Sequence, residues 1–435
     1  MTLPAATAGN NRLPGLVRRY WSVVLIAVTT TIVCALQPFD NGPAIRSDGF
    51  GYHAWTYAIL RGDLSFEGVR NDTYAFHETR PGYWWNVYPP GVALARLPVM
   101  LPLAAASDRF GHPTPAEHVA AVVLSALALM ATALLLHFTC RAAGAGDGPT
   151  NVAALAVVFG TGLFHYATYD ASYSHVWSAL GFSALVALAA RSARRGGSIS
   201  APALVLLASW LMLVRNTNAF ALVILAGSYL LLARRYLGVP VQSAFRNVAW
   251  LAVGTALGTA VQLALNTYAH ARFNVSSYAG ELFIWDRPMQ WSVLTSVAEH
   301  GLFPYYPVTA FLLLLPLSVL RLWPFVAAFA LVLATYCTLY GYWTMWNLGA
   351  SFGHRGFVEV VPLGAPLLAV ALTSIGKWPR RIAIVAVFLC VYATSSLMAG
   401  YWRRSVPYHE ISTETYRTHI IGREQLLLVA SRSFR

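Results

Sequence analysis

About eleven apolar segments follow one another along this 435-residue chain, and every second gap between them holds basic side chains with almost no acids. One set of gaps holds Arg12, Arg18 and Arg19; Arg141; Arg191, Arg194 and Arg195; Arg234, Arg235 and Arg246; Arg321; and Lys377, Arg380 and Arg381, against a single acid, Asp147. The long gap from Phe39 to Glu117 instead holds Asp40, Asp48, Asp63, Glu67, Asp72, Glu78, Asp108 and Glu117, with six arginines. This alternation is the charge signature of a chain threaded repeatedly through a bilayer, its arginine-rich loops on the cytoplasmic side. It predicts an N-terminus inside, a C-terminus outside and an odd number of crossings.

Composition points the same way. The chain is 57% hydrophobic and only 11% charged, with a mean hydropathy of +0.54, whereas soluble proteins carry about 25% charged residues. A net charge of +13 would suggest nucleic acid in a soluble protein. Here the arginines anchor loops against anionic membrane lipids, and no nucleic-acid partner is expected. Cys34, Cys140, Cys337 and Cys390 lie in or beside apolar runs and do not read as a disulfide framework.

A bilayer core takes roughly 20 apolar residues as helix. The expected spans are Trp21–Leu36, Val119–Phe138, Val152–Phe164, Val176–Ala190, Ala203–Val214, Ala219–Ala233, Val248–Leu265, Val308–Leu320, Trp323–Leu339, Val358–Ile375 and Ile382–Met398. The third to sixth are short and are expected to include broken or partly immersed helices packed inside the bundle. The first follows arginines, lacks an A-x-A cleavage site and reads as an uncleaved anchor. The division expected is one transmembrane unit over 1–400 and a short outer tail over 401–435.

Inner loops are short and simple, whereas outer segments are long and dense in aromatics, His, Asn and acids. Such loops on a rigid scaffold are where chemistry resides, so the site is expected to face outward. Asp48 sits among glycines in Ser47-Asp48-Gly49-Phe50-Gly51-Tyr52-His53, and its bland alternative is a cap for the following helix. The stretch Ala54–Leu60 is expected to lie along the membrane surface, and Tyr88-Pro89-Pro90-Gly91 to form a rigid turn. Arg215, Asp170, His175 and Glu359 stand where lipid would penalise them. Either they pair structurally, Arg215 with Asp170 or Glu359 with Arg355, or they line a cavity that grips an anionic headgroup. Glu281 and Asp286, near Phe283 and Trp285, either recognise an acceptor or form a salt-bridged loop. The glycines of Ser351–Phe357 would let backbone approach a phosphate, and Trp55, Trp84, Trp85, Trp285 and Trp291 could stack on sugar faces. No Walker-type, CxxC or HExxH motif is present.

Asp48 in the first outer loop, Tyr88-Pro89-Pro90-Gly91, Val214-Arg215, Gly301-Leu302-Phe303 and Ser351–Phe357, in this order, resemble bacterial integral-membrane glycosyltransferases of the GT-C superfamily. The likeness is above all to the branch related to protein O-mannosyltransferases and lipid A aminoarabinose transferases. It implies an all-α, GT-C-like bundle of about 11 transmembrane helices, with a long first outer loop carrying interfacial helices. It also implies a bacterial plasma-membrane enzyme that moves a hexosyl or pentosyl unit from a polyprenyl-phosphate-linked donor to a lipid or glycan acceptor on the outer face. Asp48 matches the family's catalytic base. Arg215, His354 and Arg355 are then candidates for the donor phosphate, and Tyr52, His53, Tyr88, Asp170, His175, Glu281 and Asp286 for substrate contact. Many relatives carry a second acid beside the base where Gly49 stands here, so no metal ligand is assigned and a divalent cation stays open. A single base without a separate nucleophile points to inversion. The alternatives are a flippase for a lipid-linked saccharide, which should show inverted repeats that this sequence lacks, and a ligase moving a whole oligosaccharide.

Overall fold

The computed structural model describes residues 13–421 apart from 40–41, 70–74, 108–109, 198, 276–277 and 279–280. Arg12, Asp40, Asp72 and Asp108 lie outside the described residues. The chain is a helical bundle inverted relative to a soluble protein. Leucines and valines such as Leu231, Leu206 and Val223 stand exposed on its outside, while Arg96, Glu117, Glu359 and His175 are buried within. That distribution suits lipid as the surrounding solvent.

Helix α1 (Leu13–Leu36) leads to an outer layer. This layer comprises α2 (Asp48–Arg61), a two-stranded antiparallel ribbon of β1 (Phe76–Arg80) and β2 (Tyr83–Asn86), and the apolar α3 (Gly91–Ala105). Then α4 (Pro115–Ala142), α5 (Asp147–Phe159), the short α6 (Leu163–Thr168), α7 (His175–Arg194), α8 (Ala201–Val214), α9 (Asn218–Tyr236) and α10 (Val241–His270) pass back and forth. After the short outer turns α11 (Ser292–Thr295) and α12 (Leu302–Tyr305) come α13 (Val308–Leu314), extended by a 3-10 turn to Ser318, and α14 (Trp323–Tyr342). Helices α15 (Ala365–Ser374), α16 (Lys377–Trp402) and α17 (Thr413–Ile421) are the last among the described residues. Among the described residues, seven helices are long and apolar enough to cross a membrane: α1, α4, α7, α9, α10, α14 with its preceding turn, and α16.

The remaining expected spans correspond to short helices, and their lengths position the site. Helices α5 and α8 have 13 and 14 residues, about 20 Å at 1.5 Å per residue, against a hydrocarbon core of ~30 Å. The segments that follow them, carrying Asp170 and Arg215, therefore begin at membrane depth. Non-helical backbone is tolerated there only where protein buries it or where it lines a polar cavity.

Helix α8 is held from two sides. Gly254 and Gly258, one turn apart on α10, bring that helix against the α8 backbone: a Cβ on either would lie 2.5 Å from the Val205 carbonyl oxygen or 2.6 Å from that of Ser209. Small residues at this spacing are how helices in lipid approach closely. On the other side Gly91, at the start of α3, would meet the Leu213 carbonyl carbon at 2.3 Å, and Trp210 Nε1 donates to the Gly91 carbonyl at 2.9 Å. Arg215 is thus delivered by a clamped helix end.

The outer layer departs from expectation in one respect. Every residue of α2 from Asp48 to Ala58 is buried, so the helix does not lie on the membrane surface. The ribbon and α3 cover it. Trp55 Nε1 donates to the Tyr88 carbonyl at 2.7 Å, and Asn86 Nδ2 to the Gly51 carbonyl at 2.6 Å. His53 Nε2 and the Tyr57 hydroxyl both meet Glu117 Oε1 at 3.0 Å, at the start of α4.

Two measurements check this arrangement. Gly258→Val should lower the unfolding midpoint in detergent by several degrees, an overpacking cost of about 1–3 kcal/mol. Gly227→Val, at a glycine with open space around it, should do so far less. For sidedness, cysteines replacing the exposed Glu67 or Arg195, in a chain lacking its four native cysteines, should differ in intact cells. An impermeant maleimide should label position 67 directly and position 195 only after permeabilisation; the opposite result reverses the orientation.

Candidate functional site

At the end of the bundle away from the arginine-rich loops, three ion pairs come together from segments remote in sequence. Asp48 opens α2, preceded by Ser47 in a left-handed conformation (φ 49°). Its Oδ2 accepts from Arg355 Nη1 at 2.7 Å. The carboxylate is therefore committed across the molecule as well as standing at a helix start. Glu359 Oε1 takes Arg215 Nη1 at 2.7 Å and His175 Nδ1 at 3.0 Å, and the Arg215 and His175 nitrogens are themselves 3.0 Å apart. Asp170 takes Arg46 Nη2 on Oδ1 at 2.9 Å and His165 Nε2 on Oδ2 at 3.0 Å. Trp402 Nε1 donates to the other nitrogen of His165 at 3.0 Å.

The pairing expected from sequence is corrected here. Arg215 pairs with Glu359, not with Asp170, and Arg355 pairs with Asp48, not with Glu359. Asp170 is supplied by Arg46, two residues before Asp48. The two clusters nearest one another are electrically linked: Arg355 acts on Glu359 and on His175, and Tyr278 feels Arg215, Asp48 and Arg355 together. Tyr52, whose hydroxyl donates to Ser174 Oγ at 2.9 Å, also lies in the field of Arg215 and Asp48. Its ring centroid is 4.7 Å from that of Tyr88.

These groups differ in what they can do. Glu359 is fully buried, whereas the side chains of Arg215 and Arg355 retain 14% and 15% exposure and Asp48 retains 8%. Two guanidiniums are therefore partly reachable, Arg215 held from behind by Glu359 and His175 and Arg355 by the nearly buried Asp48 carboxylate. A planar fork of five N–H donors can keep one carboxylate and still offer donors to phosphate.

Other candidates take different places. His354 Nε2 meets the Trp346 carbonyl at 2.9 Å, and burial pushes its pKa down to about 3, so it is neutral at physiological pH. His53 is enclosed with Glu117 and Tyr57. Glu281 Oε2 accepts from Trp343 Nε1 at 2.9 Å, and Arg287 Nη2 donates to the Trp343 carbonyl. Asp286 is exposed. Among the described residues no ion pair joins Glu281, Asp286 and Arg287. Trp55 and Trp85 are buried in the outer layer, while Trp285 and Trp291 stand exposed.

The glycines of Ser351–Phe357 serve packing, contrary to expectation. A Cβ at Gly353, whose φ is +58°, would lie 2.4 Å from the Tyr306 hydroxyl, and one at Gly356 would lie 2.3 Å from the Tyr340 ring. The space beside the backbone is filled by tyrosine, and the Tyr306 hydroxyl bonds the Phe352 carbonyl at 2.7 Å. Gly49 has a similar cause. A Cβ there would fall 1.7 Å from Ser172 Oγ, leaving no room for a second acid beside Asp48. Among the described residues no group of three or more His, Cys, Asp or Glu side chains is arranged to hold a metal ion.

Sequence reasoning missed Arg46, Ser174 and Tyr278. Arg46 carried a signal, being a basic residue two positions from the candidate base in the acid-rich first loop. Ser174 and Tyr278 carried none.

No family's sequence pattern matches this chain, and no curated protein matches it in sequence. Its fold is similar to that of the archaeal oligosaccharyltransferase AglB from Archaeoglobus fulgidus, solved in complex with an inhibitory peptide and a dolichol-phosphate. The TM-score is 0.55 at 11% identity over 91% of this chain, which spans 57% of the length of that protein. At such identity the likeness bears on the fold alone: a polytopic helical membrane bundle with a GT-C-like fold.

Removing one member of a buried ion pair leaves its partner uncompensated, at a cost of about 3–5 kcal/mol. Arg355→Ala should therefore destabilise the protein more than the double variant Asp48→Asn/Arg355→Gln, in which neither group is charged. Thermal unfolding in detergent reads this directly. Equal midpoints for the two variants would mean that the pair contributes nothing.

Proposed function

We propose that this protein is a membrane glycosyltransferase that moves a sugar from a polyprenyl-phosphate-linked donor to an acceptor hydroxyl on the extracytoplasmic face, with inversion. The observation that carries this reading is the Asp48–Arg355 pair at 2.7 Å, with Arg215 held close by through Glu359. It is one nearly buried carboxylate beside two partly exposed guanidiniums, at the end of the bundle opposite the arginine-rich loops. The structural neighbour was solved with a dolichol-phosphate, and the donor class proposed here is of that kind.

In this reading the acceptor hydroxyl attacks the anomeric carbon while Asp48 takes its proton. The bond from that carbon to the phosphate oxygen breaks, and the polyprenyl phosphate leaves with the electron pair. Arg355 and Arg215 meet the charge that grows on the departing phosphate, already oriented by Asp48 and Glu359, so little reorganisation is needed as it develops. Arg355 is thus shared between base and leaving group. His354 keeps the Arg355 segment folded through Trp346, and Tyr52 and Tyr88 offer ring and hydroxyl surface to the sugar. His175 backs Arg215 beside Glu359, and Asp170 holds Arg46. Among the described residues no metal site is arranged, and no step is routed through one.

A flippase would place its working groups near the middle of a path open alternately to both sides. Here they gather at one end, which favours transfer over transport.

Transfer from synthetic polyprenyl-phosphate sugars by purified protein tests the reading. Asp48→Asn should fold and lose activity by about 10²–10⁴-fold, the usual worth of a general base. Arg215→Gln should lower kcat more than it raises KM. Full transfer by a folded Asp48→Asn protein would remove the base from the scheme.

A further inference from the structure

A mainly apolar recess lies at the other end of the bundle, among the arginine-rich loops. It is a cavity of about 730 Å³ between the C-terminal ends of α7 and α9 and the N-terminal ends of α10 and α14, a size within the ~300–1,000 Å³ typical of small-molecule sites. Its depth is hydrocarbon: Leu185, Leu225, Phe329, Val332 and Leu367 form its walls. Its mouth carries Arg194 from α7, Arg234 and Arg235 from α9, and Arg321 just before α14. Arg194, Arg234 and Arg235 are exposed, and among the described residues none of them is in an ion pair. Asp147, the single acid on this face, is already occupied by Arg141 at 3.2 Å. Asn247, at the rim, is satisfied internally by the Gly197 carbonyl and the Tyr229 hydroxyl.

We infer that this cavity binds an anionic glycerophospholipid of the adjacent leaflet, with its acyl chains in the apolar recess and its phosphate among the arginines. Cations at the mouth with no counter-charge among the described residues, above a mainly apolar pocket, are complementary to one kind of molecule: an amphiphile with a negative head. Basic pockets between transmembrane helices select acidic lipid headgroups by this means, and arginine grips phosphate in a bidentate manner. The cations come from three separate elements, a breadth that suits two acyl chains beneath one head better than a single prenyl chain. Exposed apolar side chains beside the mouth, Leu231 and Trp323 among them, make lipid the neighbour there. The site stands apart from the Asp48 cluster and does not depend on the transfer reaction.

Native mass spectrometry of the full chain in neutral detergent tests this, using phosphatidylglycerol, phosphatidylcholine and a polyprenyl phosphate as probes. The wild type should retain phosphatidylglycerol at least about tenfold better than phosphatidylcholine. The triple variant R194Q/R234Q/R235Q, altered only at exposed positions, should lose that preference while keeping its unfolding midpoint in lipid-free detergent. Ala226→Trp, which fills the recess, should reduce retention of either phospholipid. Equal retention of the two phospholipids, an undiminished preference in the triple variant, or a retention of polyprenyl phosphate that falls in the triple variant by more than that of phosphatidylglycerol would each overturn the assignment.

Discussion

Charge that must sit inside a membrane-embedded bundle is what organises this end of the molecule. An unpaired arginine at the bilayer centre costs at least ~2.5–3.5 kcal/mol, and an unpaired carboxylate at that depth is penalised likewise. Arg215, Arg355 and Arg46 are each answered by an acid from a distant segment: Glu359, Asp48 and Asp170. Asp48 and Arg355 are 307 residues apart in sequence. These contacts tie the first outer loop, the turn after α8 and the segment before α15 into one unit. The outer layer cannot shift on the bundle without exposing a charge to hydrocarbon.

The short helices make such pairing necessary. Helices α5 and α8 run out of length before the bilayer does, so the polar turns that follow them begin inside it. Close approach through Gly91, Gly254 and Gly258 fixes where α8 ends, and with it where Arg215 begins. Helix packing therefore sets the position of a guanidinium to within a side chain's reach. The functional reading uses that precision: a base and two cations preorganised by partners that never need to contact substrate.

Much of the fold was legible in the sequence because lipid imposes simple rules. Apolar length and loop charge locate the crossings, and long spans such as Val119–Phe138 and Trp323–Leu339 correspond closely to α4 and α14. Asp48, Arg215, Arg355 and Glu359 could be singled out because polar residues stand out against hydrocarbon. Their partners could not, since pairing depends on which helix ends meet, and opposite charges in a sequence fit more than one register. The surface placement expected of Ala54–Leu60 failed because the cover formed by Trp85, Tyr88 and α3 is a tertiary fact. The glycines of Ser351–Phe357 looked like a phosphate cradle for a similar reason: nothing local reveals that Tyr306 and Tyr340 fill the space. His354 reads as a cation in sequence and is neutral once buried.

The central claim concerns where a lipid-borne phosphate would sit relative to Asp48, and a structure determined by cryo-electron microscopy with a non-transferable polyprenyl-phosphate sugar tests it most directly. The account predicts the phosphate within hydrogen-bond distance of Arg355 and Arg215, with the Asp48 carboxylate near the face of the anomeric carbon opposite the departing oxygen. A phosphate bound away from both arginines, with the Asp48–Arg355 pair intact and no sugar beside it, would contradict it.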